Sequence, residues 1–299
     1  MKIAITGSTG FIGGHLVRYF DNGMNTIYAF GRSAPQFASG NIIPIIWDMN
    51  DPIGIHLDDI DLYIHVASDT NYRGSIIDMQ YSNVDSLENI LGSLTKNIKH
   101  FIYISSSSIY QGVGGIPLRE DMKIDIGNLH NSYARTKYLA EQKLMKEFPK
   151  NIKLTIIRPR AVYGIGDKFL LPTILQYTIF GRLLLFGDGS IYTSLTSVEN
   201  LCEAVDTILD KQHTRQAIYN IADREPLMLE QIYQSISRQF GLMGVLHIPY
   251  FFIHILMFFD KNRFSYVLDS FQYNKILDLS KIEHLGYRGK HTFLSFMDM

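Results

Sequence analysis

The chain has 299 residues, enough for one large or two smaller domains with a substantial core. Its 28 Lys+Arg against 29 Asp+Glu leave the charge balanced, so a polyanion is not implied and no nucleic-acid partner is expected. The hydrophobic fraction of 46% is that of a globular protein, and the single cysteine, Cys202, excludes an intrachain disulfide and a cysteine-based zinc cluster, as suits a reducing cytoplasm.

Lys2 to Thr6 is apolar or β-branched, the pattern of a buried parallel strand, and it starts too early to leave room for a signal peptide. The strand runs into Gly7-Ser8-Thr9-Gly10-Phe11-Ile12-Gly13, after which Ile12, Leu16, Val17 and Phe20 take helical spacing. Glycines at intervals of three allow positive φ and close approach of a phosphate. The N–H groups and dipole of the following helix favour an anion. Strand, glycine turn and helix together predict a dinucleotide diphosphate on the first turn of a Rossmann-type sheet. An ordinary tight turn could use the same glycines, so their place in the order matters more than their spacing.

Thr26 to Phe30 reads as the second strand and ends in Gly31-Arg32-Ser33. An acid there would bind the 2′-hydroxyl of NAD, whereas Arg32 suits the 2′-phosphate of NADP. NADP is therefore favoured with NAD left open, against the alternative of a solvated surface arginine. Strand three, Ile42 to Trp47, leads to Asp48-Met49, where Asp48 either accepts from the adenine amine or caps the next turn. Strand four, Leu62 to Ala67, ends in Ser68, and His65 within it reads as a packed, hydrogen-bonded residue rather than a catalytic one. Strand five, Phe101 to Ile104, runs straight into Ser105-Ser106-Ser107-Ser108-Ile109-Tyr110. Helical stretches between the strands, such as Ser82 to Leu94, argue for an α/β fold with a doubly wound parallel sheet, whose ligands lie beyond the carboxyl ends of the strands. The serine run then points into the cleft.

Asn131 to Tyr138 opens a helix that continues to about Phe148. Tyr133 and Lys137, four apart, share one of its faces. A neighbouring ammonium stabilises phenolate and lowers the tyrosine pKa, while a serine hydroxyl can hold the substrate oxygen. The YxxxK spacing is common by chance and gains its weight from the glycine turn and serine run before it. Cys202 sits among Leu201, Ala204, Val205 and Ile208 and reads as core. The apolar run Ile248 to Phe259 is interrupted by His254 and is too short to span a bilayer, so it reads as core or lid and membrane contact is not expected. The aromatic C-terminal segment from Tyr250 to Tyr273 forms an apolar wall, a pattern more often core than ligand surface. No metal site is expected.

These motifs make the chain similar to the extended short-chain dehydrogenases/reductases, the NAD-dependent epimerase/dehydratase family, with its 3β-hydroxysteroid dehydrogenase-like branch. The matches are Thr6-Gly7-x-x-Gly10-x-x-Gly13, Asp48, His65-x-Ala67, Asn83-Val84, Ser105-Ser106-x-x-Ile109-Tyr110, Tyr133-x-x-x-Lys137, Arg158 to Gly164, Phe186 to Gly189, and Tyr219 to Ala222. The resemblance implies that Ser106 orients the reacting oxygen, Tyr133 is the acid/base, and Lys137 binds the nicotinamide ribose and tunes Tyr133. It implies cofactor contacts from Gly7, Thr9, Gly10, Phe11, Ile12, Gly13, Arg32, Asp48, Met49, Ala67 and Ser68, with Pro159 to Val162 bracketing the nicotinamide. It places a Rossmann domain at 1–166 plus 187–224 and a smaller, discontinuous substrate domain at 167–186 plus 225–299. A homodimer follows by analogy.

Departures from the pattern bear on substrate. Nucleotide-sugar members often have Asn where Ala161 stands and Arg near Thr193, and a buried diphosphate without such partners is costly. Arg160 or Arg182 could substitute. The 4,6-dehydratases have an Asp-Glu pair where this chain has Ser107-Ser108, which disfavours dehydration. Ser194 to Asn200 and the apolar run near Phe251 look more like the steroid-dehydrogenase-like reductases. The expected function is interconversion of a ketone and a secondary alcohol, on an apolar substrate or a nucleotide sugar. The alternatives are a nucleotide-sugar epimerase with tightly held NAD, or a dinucleotide-binding protein without catalysis.

Overall fold

β1 (Lys2–Thr6) is buried from Ile3 to Thr6, as a strand covered on both faces must be. β2 (Thr26–Gly31), β3 (Ile42–Ile46), β4 (Leu62–His65), β5 (His100–Ile104) and β6 (Lys153–Pro159) follow it, and the strand Gln216–Ile221 completes a seven-stranded sheet. Across the sheet the order is Gln216–Ile221, β6, β5, β4, β1, β2, β3. Every pairing from β6 through to β3 is parallel. The order reverses at β1, which lies between β2 and β4, and such a switch point is where open α/β sheets bind ligands. The fold is the expected doubly wound α/β sheet.

The computed structural model describes residues 1–35, 39–53, 60–70, 75–94, 97–113, 117–212, 214–252 and 269–299. Among them, no helix is long and apolar enough to cross a membrane. Two compact units emerge from the packing. The first holds Met1–Ser106, Ser132–Arg158 and Gln212–Tyr219, and the second holds Ser107–Asn131, Pro159–Lys211 and Asn220–Met299. In the first, Tyr63 and Phe101 stack at 5.2 Å among Phe30, Tyr103, Leu144 and Phe148. In the second, Tyr163, Leu183, Leu185, Ile232 and Phe293 form the core. These units divide the chain at other points than the boundaries drawn from the resemblance. The helix Val198–Lys211 packs with the second unit because Asn200 Nδ2 donates both to Asp223 (2.7 Å) and to the carbonyl of His291 (2.8 Å).

α1 (Phe11–Phe20) starts at the glycine turn and buries Leu16, Val17 and Phe20, the spacing read from the sequence. The stretch around 82–94 is not one helix. It consists of α2 (Ile76–Gln80), a π turn at Tyr81–Asp85 and α3 (Leu87–Ser93), because the Ser86 N–H reaches back five residues to the Tyr81 carbonyl. α4 (Ser132–Glu147) matches the expected helix closely. Cys202 is buried on Val198–Lys211. Of the apolar run, Phe251 and Phe252 are exposed and 253–259 lie outside the described residues, as do Phe264 and Tyr266 of the aromatic segment. Phe271 is core, packed at 5.7 Å from Phe186 and 6.2 Å from Tyr233.

Candidate active site

The glycine turn is too tight for side chains. Gly7 has φ +67°, and a Cβ on it would stand 2.9 Å from the Ala67 nitrogen. A Cβ on Gly13 would lie 2.1 Å from the Gly7 carbonyl oxygen, so the first turn of α1 can close on β1 only with glycine there. Thr9 and Gly10 are exposed, Phe11 and Ile12 half-buried, and no side chain caps the helix at Gly10. Around this turn the neighbouring strand ends converge. Thr6 Oγ1 accepts from the backbone of Val66 and Ala67, both at 3.1 Å. A Cβ on Gly31 would meet Ser8 Oγ at 3.2 Å and Thr9 Oγ1 at 3.3 Å, and exposed Arg32 follows directly. An open helix N-terminus beside a backbone cradle that any Cβ would fill fits a dinucleotide diphosphate.

The other expected cofactor positions divide. Asp48 Oδ1 accepts from the backbone N (2.9 Å) and side-chain Nδ2 (3.0 Å) of Asn50, so it closes the turn after β3. Met49 packs against the core of the first unit. Ser68 Oγ donates to Asn83 Oδ1 (3.1 Å), which also accepts from the Asp69 N–H, while Asn83 Nδ2 reaches Thr136 on α4 (3.2 Å). Asn83 therefore fastens the loop after β4 to the helix that carries Tyr133 and Lys137. His65 is buried, bonded to Thr6 Oγ1 at 2.8 Å and stacked on Tyr103 at 5.7 Å. Burial first, and then the Lys137 charge, pulls it down to about 3, so it stays neutral as a structural residue.

Tyr133 and Lys137 lie on one face of α4, with Lys137 Nζ 5.7 Å from the centre of the Tyr133 ring and 4.8 Å from that of Tyr103. Nζ donates to the Ile104 carbonyl at 2.9 Å, the last residue of β5 and the one before the serine run. Of those serines, Ser105, Ser107 and Ser108 are buried and Ser106 is partly exposed. Tyr133 is partly exposed too, whereas Lys137 is 2% exposed. Burial pulls the Lys137 ammonium down to about 7, opposed by the Glu141 carboxylate. The arrangement brings a hydroxyl, a phenol and a desolvated amine into the first unit, the set needed to hold an oxygen and move its proton.

Glu141 was not evident as a functional residue, although it lies four on from Lys137 along the same helix face. Its carboxylate is fully buried and takes three hydrogen bonds from Arg158, two from Nε at 3.1 and 3.2 Å and one from Nη2 at 2.6 Å. Ser105 Oγ donates to it at 2.5 Å. Arg158 sits on β6 and Ser105 just past β5, so the ion pair joins two strand ends to the helix beneath Lys137. The carboxylate is close enough to favour the charged lysine, and Arg158 pairs with it in the core.

Pro159 and Val162 belong to the second unit. Val162 pairs with Thr196, and Ala161 between them has φ +43°, a conformation Asn adopts more readily than Ala. Nearby, Arg160 Nε donates to Thr193 Oγ1 at 2.8 Å. Buried Lys275 donates to Asp269 Oδ1 (3.0 Å) and to the Val113 carbonyl (2.5 Å). Among the described residues, no cluster of His, Cys, Asp or Glu could hold a metal.

The model of the NAD dependent epimerase/dehydratase family matches residues 3–222. A 2-alkyl-3-oxoalkanoate reductase of Stenotrophomonas maltophilia is 26% identical over 258 residues, covering 81% of this chain and 76% of its own. An N-acetyl-alpha-D-glucosaminyl-diphospho-ditrans,octacis-undecaprenol 4-epimerase of Escherichia coli is 24% identical over 257 residues, covering 83% and 76%. Among solved structures, the UDP-glucuronic acid 4-epimerase of Bacillus cereus in complex with NAD superposes with a TM-score of 0.78 at 20% identity, over 100% of this chain and 96% of that one.

Proposed function

This chain belongs to the NAD dependent epimerase/dehydratase family, and from that premise we propose that it is an NADP-preferring oxidoreductase interconverting a ketone and a secondary alcohol. When bound, the dinucleotide supplies or accepts the hydride. Ser106 holds the substrate oxygen, and the Tyr133 phenol gives that oxygen a proton in reduction and takes it back in oxidation. Lys137 stabilises the phenolate and binds the nicotinamide ribose. Gly7, Thr9, Gly10, Phe11, Ile12 and Gly13 would hold the diphosphate, with Ala67 and Ser68 beyond β4, and the family resemblance assigns Pro159 to Val162 to the nicotinamide. Exposed Arg32, with no carboxylate among Gly31 to Ser33, supports a 2′-phosphate and hence NADP over NAD.

The observation that carries this reading is the pairing of a desolvated Lys137 with Tyr133 on α4, hydrogen-bonded to the backbone that leads into Ser106. Mere dinucleotide binding needs no such pair, which argues against a protein without catalysis. Ser107 and Ser108 supply no acid/base pair, which argues against dehydration. Ala161 and Thr193 stand where nucleotide-sugar members often have Asn and Arg, which supports a substrate without a diphosphate. The resulting protein would be cytoplasmic and, by family analogy, a homodimer.

A second reading, epimerisation of a nucleotide sugar with retained NAD, is favoured by the structural match to a UDP-glucuronic acid 4-epimerase with NAD. Mass spectrometry of the purified protein, followed by a ketone panel with NADPH, separates the two. An empty site with stoichiometric NADPH oxidation supports the reductase, and co-purified NAD without net turnover supports the epimerase.

A further inference from the structure

In the second unit, the strands Thr178–Ile179 and Arg182–Phe186 form a hairpin in which Ile179 pairs with Arg182, leaving a two-residue turn at Phe180-Gly181. Phe180 has φ +49° and Gly181 φ +71°, so both are left-handed, the geometry of a type I′ turn. Such turns favour Asn, Asp or Gly at the first position. Here a phenylalanine, 91% exposed, occupies it in a backbone conformation bulky residues avoid. Neither the turn nor the solvent accounts for an aromatic side chain at that place.

The neighbours of Phe180 share its character. The Met243 amide donates to the Gly181 carbonyl at 2.7 Å, and its sulfur lies 3.1 Å from where a Cβ on Gly181 would stand, so Met243 lies along the hairpin while remaining 71% exposed. Ile179, the residue before the turn, is 46% exposed, and Phe240, three residues before Met243, is 47% exposed. Exposed Arg182 continues the hairpin, and exposed Arg238 stands on the last turn of Leu229–Gln239. Neither 176–182 nor 237–248 contains an Asp or Glu. Apolar side chains at a hairpin tip with arginines close by in sequence, and with Glu230 paired to His247 at 2.8 Å rather than to either arginine, have the chemistry of a surface that enters the headgroup region of an anionic bilayer.

We propose that this tip, made by Ile179, Phe180, Phe240 and Met243 with Arg182 and Arg238, docks the protein on an anionic lipid surface. The apolar side chains enter the boundary between headgroups and acyl chains, and the two guanidinium groups face lipid phosphates. A hairpin end projecting a single aromatic ring suits a deformable lipid surface better than the shaped pocket a protein partner would need.

Phe180→Asn tests this well, because Asn-Gly is the preferred I′ pair and the variant should fold at least as stably as the wild type. Sedimentation with phosphatidylglycerol vesicles, against neutral phosphatidylcholine vesicles, reads the binding. The wild type should bind the anionic vesicles and lose affinity with added salt. Phe180→Asn should lower that affinity about tenfold, the equilibrium worth of one buried large apolar side chain. Binding of the anionic vesicles by neither protein, or equal binding by both, overturns the proposal. So does a wild-type dimer that Phe180→Asn disperses without any vesicle binding, since the tip would then be a contact between two copies.

Discussion

Replacing Lys137 by Met keeps most of the side-chain volume and removes the titrating group, so the cost of burying this ammonium can be read directly. Burial leaves the folded lysine at about 7, against an ordinary value of 10.5. Below the folded value both states hold the proton, and between the two values only the unfolded chain does. Protonation then favours unfolding, and stability rises with pH across that window. Integrated over the whole window, the effect is about 5 kcal/mol, of which about 3 kcal/mol falls between about pH 7 and about pH 9.5. Urea unfolding of wild type and Lys137→Met without dinucleotide, at these two pH values, isolates the group because every other titration is common to both proteins. The stability difference should move by about 3 kcal/mol in favour of the wild type as pH rises. A difference flat in pH would mean that Lys137 is hydrated rather than sealed against Tyr103 and the Ile104 carbonyl.

Three further outcomes follow from the same geometry. Gly13→Ala puts a methyl group 2.1 Å from the Gly7 carbonyl, so calorimetric titration should show dinucleotide affinity falling by about tenfold or more while circular dichroism stays native. Arg158→Met leaves the Glu141 carboxylate buried with only the Ser105 hydroxyl of its named donors, which should destabilise the fold by about 3–5 kcal/mol. In denaturant titrations, the double variant with Glu141→Leu should recover much of that loss. Ala161→Asn should raise stability by about 0.5–1 kcal/mol, because Asn tolerates the left-handed backbone at φ +43° better than Ala, and a lower melting temperature would contradict it.

Local patterns carried the parts of this protein that depend on neighbours in sequence. The run from Lys2 through Gly13 specifies strand, turn and helix within one short segment. Tyr133 and Lys137 meet because four residues make about one helical turn. The Ser105–Glu141–Arg158 cluster could not be read that way, since its members stand 36 and 17 positions apart and meet only once β5, β6 and α4 have packed. The Asn83–Thr136 bond, 53 positions apart, was hidden for the same reason. The break between α2 and α3 escaped notice because a π turn leaves the helical pattern of apolar residues nearly intact. Phe180 carried no sign of exposure, being one aromatic among apolar neighbours whose outward direction is set by the hairpin register.

The central claim is that Tyr133 moves the proton of the reacting oxygen. It is tested most directly by single-turnover nicotinamide fluorescence with a ketone substrate, comparing wild type and Tyr133→Phe at matched dinucleotide occupancy. Removing the phenol should slow the step by about 10²–10⁴-fold while leaving dinucleotide affinity within about threefold. An unchanged rate in Tyr133→Phe would show that another group handles the proton and that the pair on α4 is structural.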